Sequence, residues 1–346
     1  MRILLIAPNL YALNKTLKHG FEQAGHQVFL LDYRQRVKHY YETINNKKNK
    51  LLRGWRAKWD KYYFETINKE HLTYYREVKP DLVFIYNNEM LLPATIIEFK
   101  KASKVFFFLG DSPFYTPTSI YNLEILFQAN QIFSPDTGWL EQLQLLGLKN
   151  LHHLLYYTES AGNKRVEISG EEKNKYDSDM VFIGNNYPGA WGYKRALYLN
   201  QFTDLDFTLY GPPSWRIWFD RFPKLEKCFV PHSNGRLGFE KLNIIMNCAK
   251  LYPVDANPGI LNGIHMRAFE CIASGVLPLI EYRFDLYSVF NGVDIPVINN
   301  YGEAAGLAKK LLADEHLRSN TLELMRTHLK ENYSLQRAVN KILAYV

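Results

Sequence analysis

The residues best equipped for chemistry lie between Lys250 and Gly275, which read Lys-Leu-Tyr-Pro-Val-Asp-Ala-Asn-Pro-Gly-Ile-Leu-Asn-Gly-Ile-His-Met-Arg-Ala-Phe-Glu-Cys-Ile-Ala-Ser-Gly. An apolar strand over 251–254 runs into a Gly-containing loop, and a helix opens near 264–266. The free amides and the dipole of a helix start both favour anions, so this order predicts a diphosphate site. Arg267 places a cation in the first turn. Glu270, three residues on and on nearly the same face, can accept both hydroxyls of a ribose. Lys250 and His265 are further candidate contacts, although His265 could instead cap the loop. The competing reading of Arg267 and Glu270 is a surface ion pair one turn apart, which contributes little.

Other strand ends carry polar or glycine residues that should face the same ligand: Gly184-Asn185-Asn186 after one apolar run, and Tyr210-Gly211 after the next. Lys194 and Arg195, at a helix start, could reach phosphate or form a solvated turn. In the first half, Asp111 ends an apolar strand and could take a proton from an attacking hydroxyl. It could equally cap the turn before Pro113. Asn9, ending the first strand, is expected to line the same region without acting as a base.

The elements that must hold these residues alternate strand and helix along the chain. Apolar runs at 2–7, 27–32, 82–86, 105–109 and 132–134 are separated by helical segments. The alternation restarts at 180–183, 207–210, 251–254 and 276–280. Continuous apolar strands between helices mean parallel sheets covered on both faces. The polar stretch 160–175 reads as a domain boundary. The expectation is two doubly wound α/β domains, 1–160 and 176–330, facing across a cleft. A C-terminal helix in 331–346 would pack back on the first domain.

Charge is concentrated in one place. Residues 34–61 hold ten Lys and Arg against only Glu42 and Asp60, a local +8 in a chain whose total is +7. Within this segment Leu51, Leu52, Trp55, Trp59, Tyr62 and Tyr63 recur at helical spacing. Arg53, Arg56, Lys58 and Lys61 lie around or opposite that stripe. Arg53, Trp55, Arg56 and Trp59 are therefore candidate contacts to an anionic membrane surface or an acceptor. Two other arrangements compete: a crossover helix packing its aromatics on its own sheet, and a nucleic-acid patch.

Several possibilities are set aside. The chain has 346 residues, 47% hydrophobic and 22% charged, which excludes a largely disordered or fibrous protein. Three scattered cysteines, with no CxxC pair, point to a reducing compartment and away from a cysteine-built zinc site. The first apolar run is too short for a signal core or a membrane span, so a cytoplasmic protein is expected. GxGxxG, GxxxxGK, GxSxG and HExxH are absent. Asp177-Ser178-Asp179 has the spacing of a metal-diphosphate clamp but precedes its strand, at the wrong end of the sheet.

Arg267, Phe269, Glu270, Ala273 and Gly275 form an Arg-x-Phe-Glu pattern before an Ala-x-Gly turn. With Phe182-Ile183-Gly184, Tyr210-Gly211 and the Asp111-Ser112-Pro113 strand end, the chain resembles the GT-B glycosyltransferases. It is most similar to the spore-maturation CgeB/YkvP-like group. The likeness spans most of 180–340 and is thinner before it. The sequence departs by its basic segment 34–62 and by a long Pro-containing loop over 211–234. The resemblance implies two Rossmann-like domains, the C-terminal one holding a nucleotide-sugar donor through Gly184, Asn185, Asn186, Tyr210, Gly211, Lys250, His265, Arg267 and Glu270. It implies an acceptor, a glycan or a lipid-linked sugar, on the N-terminal side, and no metal or cofactor. The alternatives are a transferase acting on protein or DNA, and a non-catalytic surface-assembly protein with the same fold.

Overall fold

The computed structural model describes residues 1–8, 13–32, 53–87, 90–115, 119, 121–159, 163–232 and 237–346. Two compact units divide the chain: 1–156 together with 335–346, and 157–334.

The first unit carries a six-stranded, all-parallel sheet: β1 (Arg2–Ile6), β2 (Gln27–Leu31), β3 (Leu82–Tyr86), β4 (Lys104–Phe108), β5 (Gln131–Ser134) and β6 (Leu151–His153). Their order is β2-β1-β3-β4-β5-β6, so the winding reverses between β1 and β3. Ile3, Leu5, Phe84, Phe106 and Phe133 are fully buried, as continuous apolar runs in a doubly covered sheet should be. The helices are α1 (Leu13–Gln23), α2 (Arg53–Val78), α3 (Pro93–Lys100), α4 (Asn122–Phe127) and α5 (Thr137–Leu145). The C-terminal helix of the chain, Leu335–Leu343, also belongs here, and its Ala338, Val339 and Ile342 join the core formed by Leu17 and Phe21 of α1. The unit boundary falls after Ser334, close to the start of the segment the sequence assigned to this packing.

The second unit holds β7 (Ser178–Ile183), β8 (Phe207–Gly211), β9 (Phe229–Pro231), β10 (Ala249–Val254), β11 (Leu277–Glu281) and β12 (Val297–Ile298), again all parallel. The order β12-β11-β10-β7-β8-β9 reverses between β7 and β10, the doubly wound dinucleotide-type arrangement. The helices between them are α6 (Gly170–Tyr176), α7 (Gly189–Asn200), α8 (Pro223–Lys227), α9 (Phe239–Asn247), α10 (Met266–Ser274), α11 (Asp285–Val289), α12 (Tyr301–Ala313) and α13 (Glu315–Asn332), and the C-terminal helix of the first unit is thus α14.

Two sequence expectations change. The polar segment 163–176 belongs to the second unit. Asn243 and Asn247 accept from the amides of Lys164 and Val166, and Ser169 with Glu172 forms a capping box that starts α6. The described part of the segment read as a long loop, 211–232, carries regular structure. It holds a 3₁₀ turn at Pro213–Trp218, then α8, then β9 at the sheet edge, where a proline is tolerated. Among the described residues no helix is long and apolar enough to cross a membrane.

Candidate functional site

The carboxyl ends of β7 and β10 part at the point where the second sheet reverses direction. Their ladder pairs Ala249 with Ser178 and Leu251 with Met180. Beyond this the Tyr252 side chain takes over. Its hydroxyl accepts from the Ile183 amide and donates to the Ile183 carbonyl, both at 2.9 Å. Strands that separate here leave a crevice between the loops that follow them, the expected ligand position in such sheets.

Arg195, from the second turn of α7, joins those two loops. Its Nε donates to Asp255 at 2.8 Å and a terminal nitrogen donates to the Asn185 carbonyl at 2.7 Å. The guanidinium carbon lies 4.5 Å from the Tyr187 ring centroid and 5.3 Å from that of Phe182. The pair is buried, at 6% and 3% side-chain exposure. Arg195 is thus neither a solvated turn residue nor a free phosphate contact, as the sequence allowed. Its Nε and one terminal nitrogen tie together the loops after β10 and β7.

Three further charged groups line the same edge. Glu281, the last residue of β11, accepts from Lys194 at 2.7 and 2.8 Å, from Arg283 at 2.9 Å and from the Ala256 amide at 3.1 Å. Lys194 also stands 4.4 Å over the Trp191 ring. The Trp191 indole nitrogen and Arg283 Nε are buried with no hydrogen-bond partner among the described residues. Such groups are costly in a dry interior.

The start of α10 follows the same loop. His265 is the N-cap, its Nδ1 accepting from the Arg267 amide at 3.0 Å. Burial, then the nearby positive charges of Arg267 and Arg195, hold the imidazole down to about 3, against an ordinary 6.5. The ring is therefore neutral, and with Nδ1 accepting, its proton sits on Nε2, which remains a donor. Arg267 pairs with Glu270 at 2.7 Å, both about three-quarters buried, and its guanidinium lies 5.9 Å from the Tyr252 ring. The helix ends at Gly275, whose φ of 87° is a left-handed cap open to glycine at little cost.

The other residues singled out in the second unit lie at or near the carboxyl ends of β7 and β8, with one exception. Gly184 and Gly211 end adjacent strands against Trp215, whose indole donates to the Gly184 carbonyl at 2.9 Å. A Cβ on Gly211 would lie 2.2 Å from that indole, so the glycine is required for packing. Asn186 donates to the Ser214 carbonyl at 2.9 Å, tying the loop after β7 to the turn after β8. Tyr210 is buried in the core, and desolvation raises its hydroxyl pKa. Lys250 is the exception. It is the second residue of β10 and pairs with Asp179 at 2.6 Å at the amino end of the sheet, about 17 Å along the strand from Asp255. It takes no part in the crevice. The same contact confirms that Asp177-Ser178-Asp179 lies at the amino edge. Among the described residues no three His, Cys, Asp or Glu side chains gather as a metal cluster.

In the first unit, Asp111 is exposed just past the carboxyl end of β4. The turn before Pro113 is capped by Ser112, whose hydroxyl accepts from the amides of Phe114 and Tyr115. Asp111 instead accepts from the Asn87 amide side chain at 2.7 Å, and Asn87 also accepts from the Gly110 amide at 2.7 Å. Asn87 holds a φ of 41°, tolerable for Asn. Sequence reasoning had not singled out Asn87, Asp255 or Glu281. Asn9 lies outside the described residues, as do the side chains of Arg53, Arg56 and Trp59; Trp55 is 66% exposed.

The glycosyl transferase-like family model matches residues 194–344. No curated protein sequence matches the chain. Among solved structures, Anabaena HepE in complex with UDP and glucose aligns over 100% of each chain at 11% identity, TM-score 0.66. Sucrose-phosphate synthase from Thermosynechococcus elongatus aligns over 100% of this chain and 98% of its own at 10% identity, TM-score 0.67. The Escherichia coli trehalose-6-phosphate structure bound with UDP-2-fluoro glucose aligns over 99% and 98% at 12% identity, TM-score 0.64. The fold is that of the GT-B transferases, with two Rossmann-like domains.

Removing Arg195 strands Asp255 in the interior. Arg195→Ala should therefore cost about 3–5 kcal/mol in urea unfolding, and combining Arg195→Met with Asp255→Leu should recover much of it. A loss under about 1 kcal/mol for the single variant would contradict this role. His265 gives a pH signature. Below pH 6.5 the unfolded chain binds a proton that the folded chain refuses, so stability is full above 6.5 and declines as pH falls toward 3. His265→Asn keeps a cap without a titrating ring, so its stability relative to the parent should rise between pH 7 and 4. Parallel pH curves for the two proteins would contradict the assignment.

Proposed function

We propose that the protein is a metal-independent glycosyltransferase moving a sugar from a nucleotide-sugar to a hydroxyl acceptor. The observation that carries this reading is the cation-lined crevice at the switch point of the second unit. Lys194, Arg267 and Arg283 lie on the elements around it, and the first turn of α10 opens beside it. A diphosphate would draw Lys194 and Arg283 from Glu281 and lie at a helix start. Charge appearing on the leaving diphosphate would then be stabilised by fixed cations and amides, which is the role a metal plays elsewhere. Glu270 would accept the ribose hydroxyls. That solved structures of the same fold hold UDP with glucose, or a UDP-fluoroglucose, adds support for a nucleotide-sugar donor.

In this reading Asp111 takes the proton of the acceptor hydroxyl as its oxygen bonds to the anomeric carbon and the bond to the diphosphate breaks. Asn87 positions that carboxylate. The acceptor would be a lipid-linked sugar or a surface polysaccharide, and the enzyme cytoplasmic, peripheral on the inner face of a membrane.

A thermal-shift series with UDP, GDP, CDP, ADP and TDP, each with and without EDTA, tests the reading. One nucleotide at a hundred times its dissociation constant should add about 2.7 kcal/mol, with EDTA making no difference. Glu270→Ala should lose most of that shift while melting near the parent temperature. Asp111→Asn should keep the shift and lose transfer. Absence of any nucleotide shift would overturn the donor site, and full transfer by Asp111→Asn would remove Asp111 from the mechanism.

A further inference from the structure

Helix α2 has two faces with different fates. Ile67, Asn68, His71 and Val78 are buried, and the helix packs on β1 and α3 through that side. Asn68 donates to the Met90 carbonyl and accepts from the Leu92 amide, which fixes the rotation of the helix about its axis. At 100° per residue, Trp55, Lys58, Tyr62 and Lys69 fall together on the side opposite those buried residues. All four are exposed, Trp55 at 66% and Tyr62 at 52%, and Lys61 beside them is exposed too. The first described side chain to be fully buried is Ile67, fourteen residues and about 21 Å from the start of the helix.

For Trp55 and Tyr62 this arrangement bears on a question the sequence left open. Aromatics that packed a crossover helix onto its own sheet would lie on the Ile67 and His71 side. Trp55 and Tyr62 lie on the other side, among lysines. Lys58 stands 5.9 Å from the Trp55 ring, and among the described residues the only acidic one within this stretch of the face, Glu65, is near Lys61 at 3.9 Å. The sequence concentrates a local +8 in 34–61, leaving the rest of the chain close to neutral.

We infer that the outward face of the first turns of α2 is a docking surface for an anionic lipid bilayer. The aromatic rings enter the headgroup layer, and the lysines lie against the phosphates. Ring and ammonium group on one helical face match the two layers of such an interface, apolar below and negative above. Attraction extends over about a Debye length and adds with each lysine, so the contact is salt-sensitive. A duplex would engage the lysines equally well, but it offers no apolar layer to exposed Trp55 and Tyr62. The inference gives a surface to the membrane location proposed above and is independent of glycosyl transfer, since its test needs no sugar.

The experiment is flotation of the full-length protein with vesicles of phosphatidylglycerol and phosphatidylcholine, and with phosphatidylcholine alone, at low and high salt. Binding should require the anionic lipid and weaken with salt. Lys58→Glu with Lys61→Glu should reduce partitioning by at least about tenfold. Trp55→Ala with Tyr62→Ala should reduce it as well. Lys309→Glu with Lys310→Glu, on exposed positions of α12, makes the same change in net charge and should leave binding intact. Unchanged melting temperatures identify the effects as local. Failure of the parent to float, or equal loss in the α12 variant, would overturn the inference. So would a salt-steep shift of duplex DNA abolished by the Lys58 and Lys61 changes in a protein that ignores vesicles. A nucleotide shift that persists in a protein that does not float would leave the donor site standing and remove only this surface.

Discussion

The buried ion pair between Arg195 and Asp255 is the constraint on which the second unit's functional edge depends. It joins α7 to the loop after β10 and, through the Asn185 carbonyl, to the loop after β7. Such a pair gives up hydration on both sides, so its geometry must be tight, and here Tyr187 and Phe182 cover the guanidinium. The pair fixes the separation of two loops that no backbone ladder joins. It also sets the local electrostatics. Together with Arg267, Arg195 adds to the burial that keeps His265 neutral, and a neutral ring is what lets Nδ1 accept the Arg267 amide in the first turn of α10.

Four described cations along this edge each have a carboxylate: Arg195 with Asp255, Arg267 with Glu270, and Lys194 and Arg283 with Glu281. The pairs differ in what an anion can do to them. Arg195 is sealed and cannot be recruited without opening the core. Lys194 and Arg283 share one carboxylate and are less deeply buried, so a polyanion can compete for them while Glu281 keeps the Ala256 amide. An edge of this kind holds its charges in position before any ligand arrives, and preorganisation of that sort lowers the reorganisation needed on binding.

The strands were legible because a doubly covered parallel sheet writes itself as uninterrupted apolar runs, from Ile3-Leu4-Leu5-Ile6 to Leu277-Pro278-Leu279-Ile280. The short strands at 229–231 and 297–298 were not, since two or three residues carry no period. Lys250 was misplaced because nearness in sequence to the loop does not say which end of the strand a residue occupies. A six-residue strand separates the two edges of the sheet. Asn87 and Asp111 meet only because β3 and β4 pair in register, with Tyr86 beside Phe108. Arg195 and Asp255 lie sixty positions apart and meet for the analogous reason. Local pattern reveals elements, whereas these contacts depend on which elements are neighbours.

The two sheet edges solve the same problem with different chemistry. At the second, a buried charged pair and the Tyr252 phenol replace the missing ladder and leave little freedom. At the first, a neutral side chain, Asn87, bridges the ends of β3 and β4, and the carboxylate it holds is in water. A buried ion pair is costly to break, whereas a water-exposed hydrogen bond between a neutral amide and a carboxylate competes with solvent. Under the proposed reaction that asymmetry is what the two substrates demand. A diphosphate has one charge pattern, which a rigid edge can match in advance. A hydroxyl must be approached along the line of attack by a carboxylate that solvent can reach, and Asn87 orients Asp111 there.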